Sequence, residues 1–125
     1  VSNFNDLKKF LLNVLESHCK NTYYGQAAAG AFPRLEYEIK EMSALNEPYS
    51  RYVLTLNLYD KNTSQTVDDI ADAIIENVGT AQYYNENYHY KFYYNQDRQA
   101  LPDTDKTIQH IRLTFEVRTF TRSDT

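Results

Sequence analysis

RYVLTLNLYDKNTSQTVDDIADAIIENVG, residues Arg51 to Gly79, changes its hydrophobic period once along its length. In the first part Tyr52, Leu54, Leu56 and Leu58 alternate with Val53, Thr55, Asn57 and Tyr59. A period of two, rich in aromatic and β-branched residues, predicts a strand with one strongly buried face. The polar run Asp60 to Gln65 breaks that strand. Thr66 is then placed to N-cap a helix whose apolar positions Val67, Ile70, Ala71, Ile74 and Val78 recur at helical spacing. Asp68 and Asp69 fall in the first turn, where the helix dipole favours negative charge, and Gly79 is expected to supply a left-handed stop. A strand followed at once by an amphipathic helix can fold into a unit in which the helix covers the strand's apolar face.

The same two periods organise the flanks. Asn3 is placed to N-cap a first helix, with Phe4, Leu7, Leu11, Val14, Leu15 and His18 on one side of it. Asn21 to Ala31 reads as a connection, and its glycines lack the spacing of a phosphate-cradling loop. After Pro33, Leu35, Tyr37 and Ile39 alternate with Arg34, Glu36, Glu38 and Lys40, a strand with one apolar and one charged face. Glu41 to Tyr49 is a loop too long for a tight hairpin. Beyond Gly79 the periodicity is weak until Tyr88, Tyr90, Phe92 and Tyr94 mark a third strand. Asn95 to Lys106 reads as a long polar loop. Ile111, Leu113, Phe115 and Val117 then give the longest alternation, over Thr107 to Phe120. The expected order is α-β-β-α-β-β. The simplest burial is a two-layer α+β sandwich, a mainly antiparallel four-stranded sheet with both helices on one face. Residues 1–120 form that one domain, and 121–125 are a polar tail.

Composition narrows the function classes. A chain of 125 residues is one domain, large enough to bury roughly two thirds of its unfolded surface. Mean hydropathy is −0.68, and no apolar run approaches the about 18 residues of a spanning helix, so no membrane role is expected. Val1-Ser2-Asn3 carries no basic region followed by an apolar core, so no signal peptide is expected, and without an initiator Met a processed or trimmed start is expected. Cys19 is the only cysteine, which excludes an internal disulfide and fits a reducing cytoplasm. A net charge of −4 argues against broad gripping of nucleic-acid phosphates. The 12 tyrosines, in a chain without Trp, suit surfaces packed on one side and wet on the other; a subunit interface and a half-solvated sheet face both qualify.

Each candidate chemical pattern in the chain has a plainer account. Asp68-Asp69-Ile70-Ala71-Asp72 matches the DDxxD string of magnesium–diphosphate enzymes, yet acids at a helix start serve the dipole equally well. His89 and His110 sit on polar strand faces without the further ligands a zinc site needs. His18 and Cys19, being adjacent on a helix, diverge by about 100° and share a ligand poorly. Glu36 and Glu38 are interspersed with Arg34 and Lys40 in an ordinary charged face. His89 to Tyr94 interleaves bases and aromatics as a base-stacking platform does, but the chain is acidic and shows no clustered Arg. No catalytic residue, metal ligand or cofactor is expected.

Taken in order, the segments resemble the tail terminator (tail completion, or tail-to-head joining) proteins of long-tailed bacteriophages with Gram-positive hosts. The likeness runs over nearly the whole chain: the first helix, Phe32-Pro33-Arg34-Leu35-Glu36-Tyr37, Leu56-Asn57-Leu58-Tyr59-Asp60, Ile70-Ala71-Asp72-Ala73-Ile74, and Arg112-Leu113-Thr114-Phe115-Glu116-Val117-Arg118-Thr119-Phe120 behind Asp103-Thr104-Asp105. The resemblance implies a structural virion protein, assembled in the host cytoplasm, that caps the finished tail tube as a hexameric ring. It would stop tube polymerisation and join the tail to the DNA-filled head. Its partners would be further copies of itself, the tail tube protein and a head-completion or neck protein, with DNA only passing through the lumen. One subunit patch is then expected from Tyr93, Arg112 and Arg118. Glu47, and Asp97, Asp103 and Asp105, lie on the two long loops and are expected to reach a neighbour or the tube. Competing readings are another neck protein (a head-completion or stopper ring), a small ligand-binding or enzymatic α+β domain with a cleft between sheet and helices, and an adaptor from a mobile element.

Overall fold

The computed structural model describes residues 3–25, 31–42, 47–61 and 65–122. The elements are α1 (Asn3–Glu16), β1 (Thr22–Tyr24), β2 (Arg34–Met42), β3 (Ser50–Lys61), α2 (Gln65–Val78), β4 (Gln82–Tyr84), β5 (Tyr88–Leu101) and β6 (Ile108–Thr121). They build one curled sheet of six strands in the order β1-β2-β3-β6-β5-β4. The expected four-stranded antiparallel sheet with order α-β-β-α-β-β is therefore wrong. The sheet is mixed, because β1 runs parallel to β2 while every other pair is antiparallel.

The central pair follows from the alternation. β3 and β6 set Leu54 opposite Phe115, Leu56 opposite Leu113 and Leu58 opposite Ile111, so the apolar residues of both strands face each other on one side. All six are buried. On β2, Leu35, Tyr37 and Ile39 continue this face, as do Tyr88, Tyr90 and Phe92 on β5. Both helices lie against it: Leu7, Leu11 and Leu15 of α1, and Val67, Ala71, Ile74 and Val78 of α2, belong to the same core.

Three of the largest fully buried side chains are tyrosines, Tyr37, Tyr52 and Tyr90. The abundance of Tyr thus serves the interior as well as the surface. The Tyr37 hydroxyl donates to the Lys8 carbonyl at 2.9 Å, and the Tyr90 hydroxyl donates to Asp6 Oδ2 at 2.6 Å. A buried phenol needs such a partner, and here both partners are on α1, so the two rings tether that helix to the sheet. Burial, more than the nearby Tyr24 and Glu16, pushes the Tyr37 pKa up to about 12, which keeps it a donor.

Several boundaries depart from expectation. The connection Asn21 to Ala31 contains β1, and the weakly periodic stretch after Gly79 contains β4; residues 26–30 and 43–46 lie outside the described residues. Strand β2 runs to Met42, into the expected loop from Glu41, and α2 starts at Gln65, so Thr66 is inside the helix rather than its cap. Gly79 is not left-handed; among the described glycines only Gly25 has a positive φ, 76°. Asn95 to Leu101, the first part of the expected polar loop, instead continues β5 beyond an irregularity in which Tyr94 pairs with Phe115 and Asp97 with Thr114. The two extra residues, Asn95 and Gln96, are accommodated by Gln96 at φ 60°. A bulge of this kind sharpens the local twist, in keeping with the curl of the sheet. Because two residues are inserted, the facing is preserved and Arg98 still points to the helix side, where it meets Asp68 and Asp72 of α2 at 2.9 and 2.6 Å. The first and last acids of the DDxxD string are thereby held by one guanidinium.

Candidate functional site

With the inner face filled, the outer face of the sheet carries the remaining chemistry. Outward positions alternate with the buried ones, which puts Arg34, Lys40, Arg51, Lys91, Arg112 and Arg118 on this side against Glu36, Glu38, Asp97 and Glu116. In a chain of net charge −4 this face is net positive. The acid excess lies elsewhere, above all on α2, whose sequence QTVDDIADAIIENV holds four acids and no base.

At one end of the face the cations are layered with aromatic rings. The Arg118 guanidinium lies 4.6 Å from the Tyr93 ring centroid and 5.0 Å from that of Tyr49, while its Nε donates to Glu116. Glu116 also takes Arg51 at 3.7 Å, so two guanidinium groups share one carboxylate. The Tyr49 and His89 rings flank Phe120, Lys91 sits over Phe120, and Tyr84 stacks on His89 at 4.1 Å. Tyr93 and Tyr84 are among the most exposed large apolar side chains, at 39% and 61%. Cross-strand spacing explains the cluster: Lys91 pairs with Arg118 and His89 with Phe120 across β5 and β6, and Arg51 pairs with Arg118 across β3 and β6. Tyr49 enters from the segment before β3, which no strand period could have placed.

At the opposite end, Arg34, Tyr59 and His110 form a second stack across β2, β3 and β6, with 4.7 Å from Arg34 to the Tyr59 ring and 4.2 Å between the Tyr59 and His110 rings. His110 Nε2 is 2.8 Å from Asn57 Oδ1. Burial lowers the pKa of His110 below its ordinary 6.5, a shift that Asp103 and Glu36 oppose and Arg112 and Arg34 reinforce. The unfolded chain therefore takes up this proton first as the pH falls. The contribution of His110 to stability is complete above about pH 6.5 and is lost as the pH drops through the folded value. His110→Gln, which keeps an amide for Asn57, is expected to flatten the fall in urea midpoint between about pH 7 and about pH 5. An unchanged slope would show that the ring does not titrate in this setting. His89 also has a lowered pKa, first from burial and then from Lys91 and Arg122. It pairs with Phe120, ten residues along β6 from His110, which places the two histidines about 30 Å apart. Among the described residues no group of three His, Cys, Asp or Glu could hold a metal ion.

The expected contact residues separate into three sets. Tyr93 and Arg118 are in contact within the aromatic cluster. Arg112 lies six residues along β6, about 20 Å away, and bonds Gln99 at 2.7 Å; Asp97 accepts from the Thr114 hydroxyl at 3.1 Å. Asp103 and Asp105 are occupied locally, accepting from the backbone N–H of Asp105 and Thr107 respectively. The Thr107 hydroxyl and N–H hold the exposed Asp105 carboxyl below its usual pKa. Glu47 is exposed and stands beside Tyr49, near Thr119 and Thr121, at the aromatic end. Sequence reasoning missed Tyr49, Tyr84, Lys91, Phe120 and Arg122 as members of the cluster. For Lys91 and Phe120 the signal was present, since each stands one alternation step from Tyr93 or Arg118.

An open groove of 520 Å³ lies between α1 and β1, lined by Asn5, Lys8, Lys9, Leu12 and Thr22 to Tyr24, with Tyr37 at its floor. The Tyr37 hydroxyl is already spent on Lys8, and Lys8 Nζ lies 4.3 Å over the Tyr24 ring. Cys19 is buried, and that burial raises its thiol pKa, which leaves it a poor nucleophile.

No protein-family model matches the sequence, and a search of curated proteins returns no match. Among solved structures, a chain of the virion of a native gene transfer agent particle superposes with a TM-score of 0.61. The match covers 85% of this chain and 84% of that one. That likeness establishes the fold. At 12% identity the two share a backbone arrangement far more than they share side chains.

Proposed function

We propose that this chain is a structural subunit of a phage-type virion that closes the tail tube as a ring of six copies and joins the tail to the DNA-filled head. The observation that carries the virion reading is the fold shared, over 85% of this chain, with a chain of a gene transfer agent virion. The tail-capping role comes from the resemblance of the ordered sequence segments. The outer sheet face supports it as well, since it sets large exposed aromatics beside cations that share too few carboxylates. Aromatic and Arg side chains are enriched where protein surfaces meet. In this reading Tyr93 and Arg118 centre one subunit contact, with Arg112 and Asp97 on its flank. Glu47, Asp103 and Asp105 reach a neighbouring copy, the tube protein or a neck protein. DNA passes through the lumen without being read, and the protein works in the virion after assembly in the host cytoplasm.

The test is sedimentation and electron microscopy of the purified protein, alone and mixed with uncapped tail tubes. Closed rings, or tubes closed at one end by added protein, are expected. A protein that stays monomeric and leaves tubes growing would overturn the reading. The groove between α1 and β1 favours one alternative, a small-ligand site. Several of its polar groups are already engaged within the protein, however: the Tyr37 hydroxyl donates to the Lys8 carbonyl, the Thr22 hydroxyl donates to the Cys19 carbonyl, and Lys8 Nζ lies over the Tyr24 ring.

A further inference from the structure

The two faces of this protein are complementary in charge to each other. The buried stripe of α2, Val67, Ala71, Ile74 and Val78, turns toward the sheet. At 100° per residue, Asp69, Asp72 and Glu76 lie about 160° away from it, and all three are exposed. The acidic stripe and the cation–aromatic sheet face therefore point out of opposite sides of the molecule, with the core between them. On the sheet side, no carboxylate among the described residues forms an ion pair with Lys91 or Arg122, and Arg51 and Arg118 divide Glu116 between them. On the helix side, Asp69 and Glu76 likewise have no cation within ion-pair distance among the described residues, whereas Asp72 is taken by Arg98.

We infer that the cation–aromatic face around Lys91, Arg118 and Tyr93 docks the acidic outer stripe of α2 from a second copy of this chain. The occupant is specified by charge: the chain carries, on its far side, a row of carboxylates with the sign and spacing that the sheet face lacks. Asp69, Asp72 and Glu76 span about 10 Å along the helix axis, close to the reach of Lys91 to Arg118 to Arg51 across three strands at roughly 4.8 Å each. A contact between two different patches on opposite sides is head-to-tail, so each copy leaves one patch of each kind free for the next. Such an arrangement closes into a ring or extends as a filament according to the rotation per step. The inference rests on the ring reading only for closure; the pairing of the two faces stands on charge and position. The same face could attract a nucleic-acid strand, since bases stack on rings and phosphates meet Lys and Arg. The self-complementary stripe favours a second copy.

Sedimentation velocity separates these outcomes. Lys91→Glu with Arg122→Glu on one face, and Asp69→Lys with Glu76→Lys on the other, should each weaken self-association at least about a hundredfold, because like charges are brought together. The native chain should weaken in going from about 0.05 M to about 0.5 M salt. Combining all four substitutions in one chain should restore association, as lysines on the helix now meet glutamates on the sheet. Circular dichroism identifies any variant that has lost its fold; Lys91→Glu alone, at a residue whose side chain makes only a ring contact, then serves in its place. Association that ignores the reversals, or no association of the native chain, overturns the inference. So does retention of native association by Lys91→Glu with Arg122→Glu while a fluorescent oligothymidylate, bound by the native chain, is released. Rings indifferent to charge reversal would remove this interface and leave the virion reading standing. Charge-dependent association into open filaments that never cap a tube would do the reverse.

Discussion

Phe115→Ala is expected to destabilise the fold by about 3–5 kcal/mol, a large share of the roughly 5–15 kcal/mol that holds a domain of this kind together. Phe115 is fully buried at the middle of β6. It is opposite Leu54 on β3 and Tyr94 on β5, and its ring centroid is 5.3 Å from that of Tyr94. Truncation removes the ring's transfer energy and leaves a cavity that neighbours on three strands are poorly able to fill, since each is fixed by its own ladder. The measurement is a urea titration, in which the midpoint should fall with the slope unchanged. Tyr93→Ala is the control, from the same strand pair but pointing outward; a surface change of that kind is expected to stay within about 1 kcal/mol. Equal midpoints for the two variants would mean that the inner face is not the core.

The contrast between Phe115 and Tyr93 was legible in the sequence because one-sided burial writes a period of two. Tyr52, Leu54, Leu56 and Leu58 are buried as the alternation requires, and so are Ile111, Leu113, Phe115 and Val117. The strands that went unread lack that constraint. Thr22–Tyr24 and Gln82–Tyr84 are three residues each, too short for a period to show, and they are edge strands with one neighbour apiece. Asn95 to Leu101 read as loop because its helix-side residue Arg98 meets carboxylates on α2 instead of hydrocarbon, so no apolar period marks it. A strand whose inner face is satisfied by ion pairs looks polar on both sides.

The candidate site was legible in part for a related reason. Alternation identifies Tyr93, Arg112 and Arg118 as outward residues, but register decides which of them meet. Pairing of Lys91 with Arg118 brings the aromatic cluster together, whereas Arg112 is carried to the other end of the face. Nor does a net charge of −4 disclose that the charges are sorted by side. That sorting depends on which faces the strands and α2 turn outward, and therefore on the fold itself.

Gly79→Ala tests the least obvious of these dependencies, and the sign of its effect is the discriminating result. If Gly79 only ended the helix, with a backbone that is not left-handed, alanine would be tolerated and would stabilise by about 0.4–1 kcal/mol through the unfolded chain. The surroundings argue for the opposite sign. The Gly79 N–H donates to the Ile75 carbonyl at 3.0 Å, and its own carbonyl accepts from the Tyr94 N–H at 2.8 Å, so the end of α2 is fastened directly to β5. A Cβ at this position would stand 2.4 Å from the Ile75 oxygen and 3.4 Å from Tyr94 Cβ. Neither neighbour is a free side-chain end: the oxygen belongs to the helix backbone, and Tyr94 is held opposite Phe115 beside the bulge. Relief requires moving the helix end away from the strand, which weakens the Tyr94 bond and opens the Val78 and Phe92 packing. The expected cost is about 2–4 kcal/mol. Gly25→Ala is the reference, because among the described residues nothing lies within 4 Å of its Cβ and only its φ of 76° is strained, for about 1–2 kcal/mol. A urea midpoint for Gly79→Ala at or above the native value would show that the close approach of α2 to β5 is not what this glycine is for.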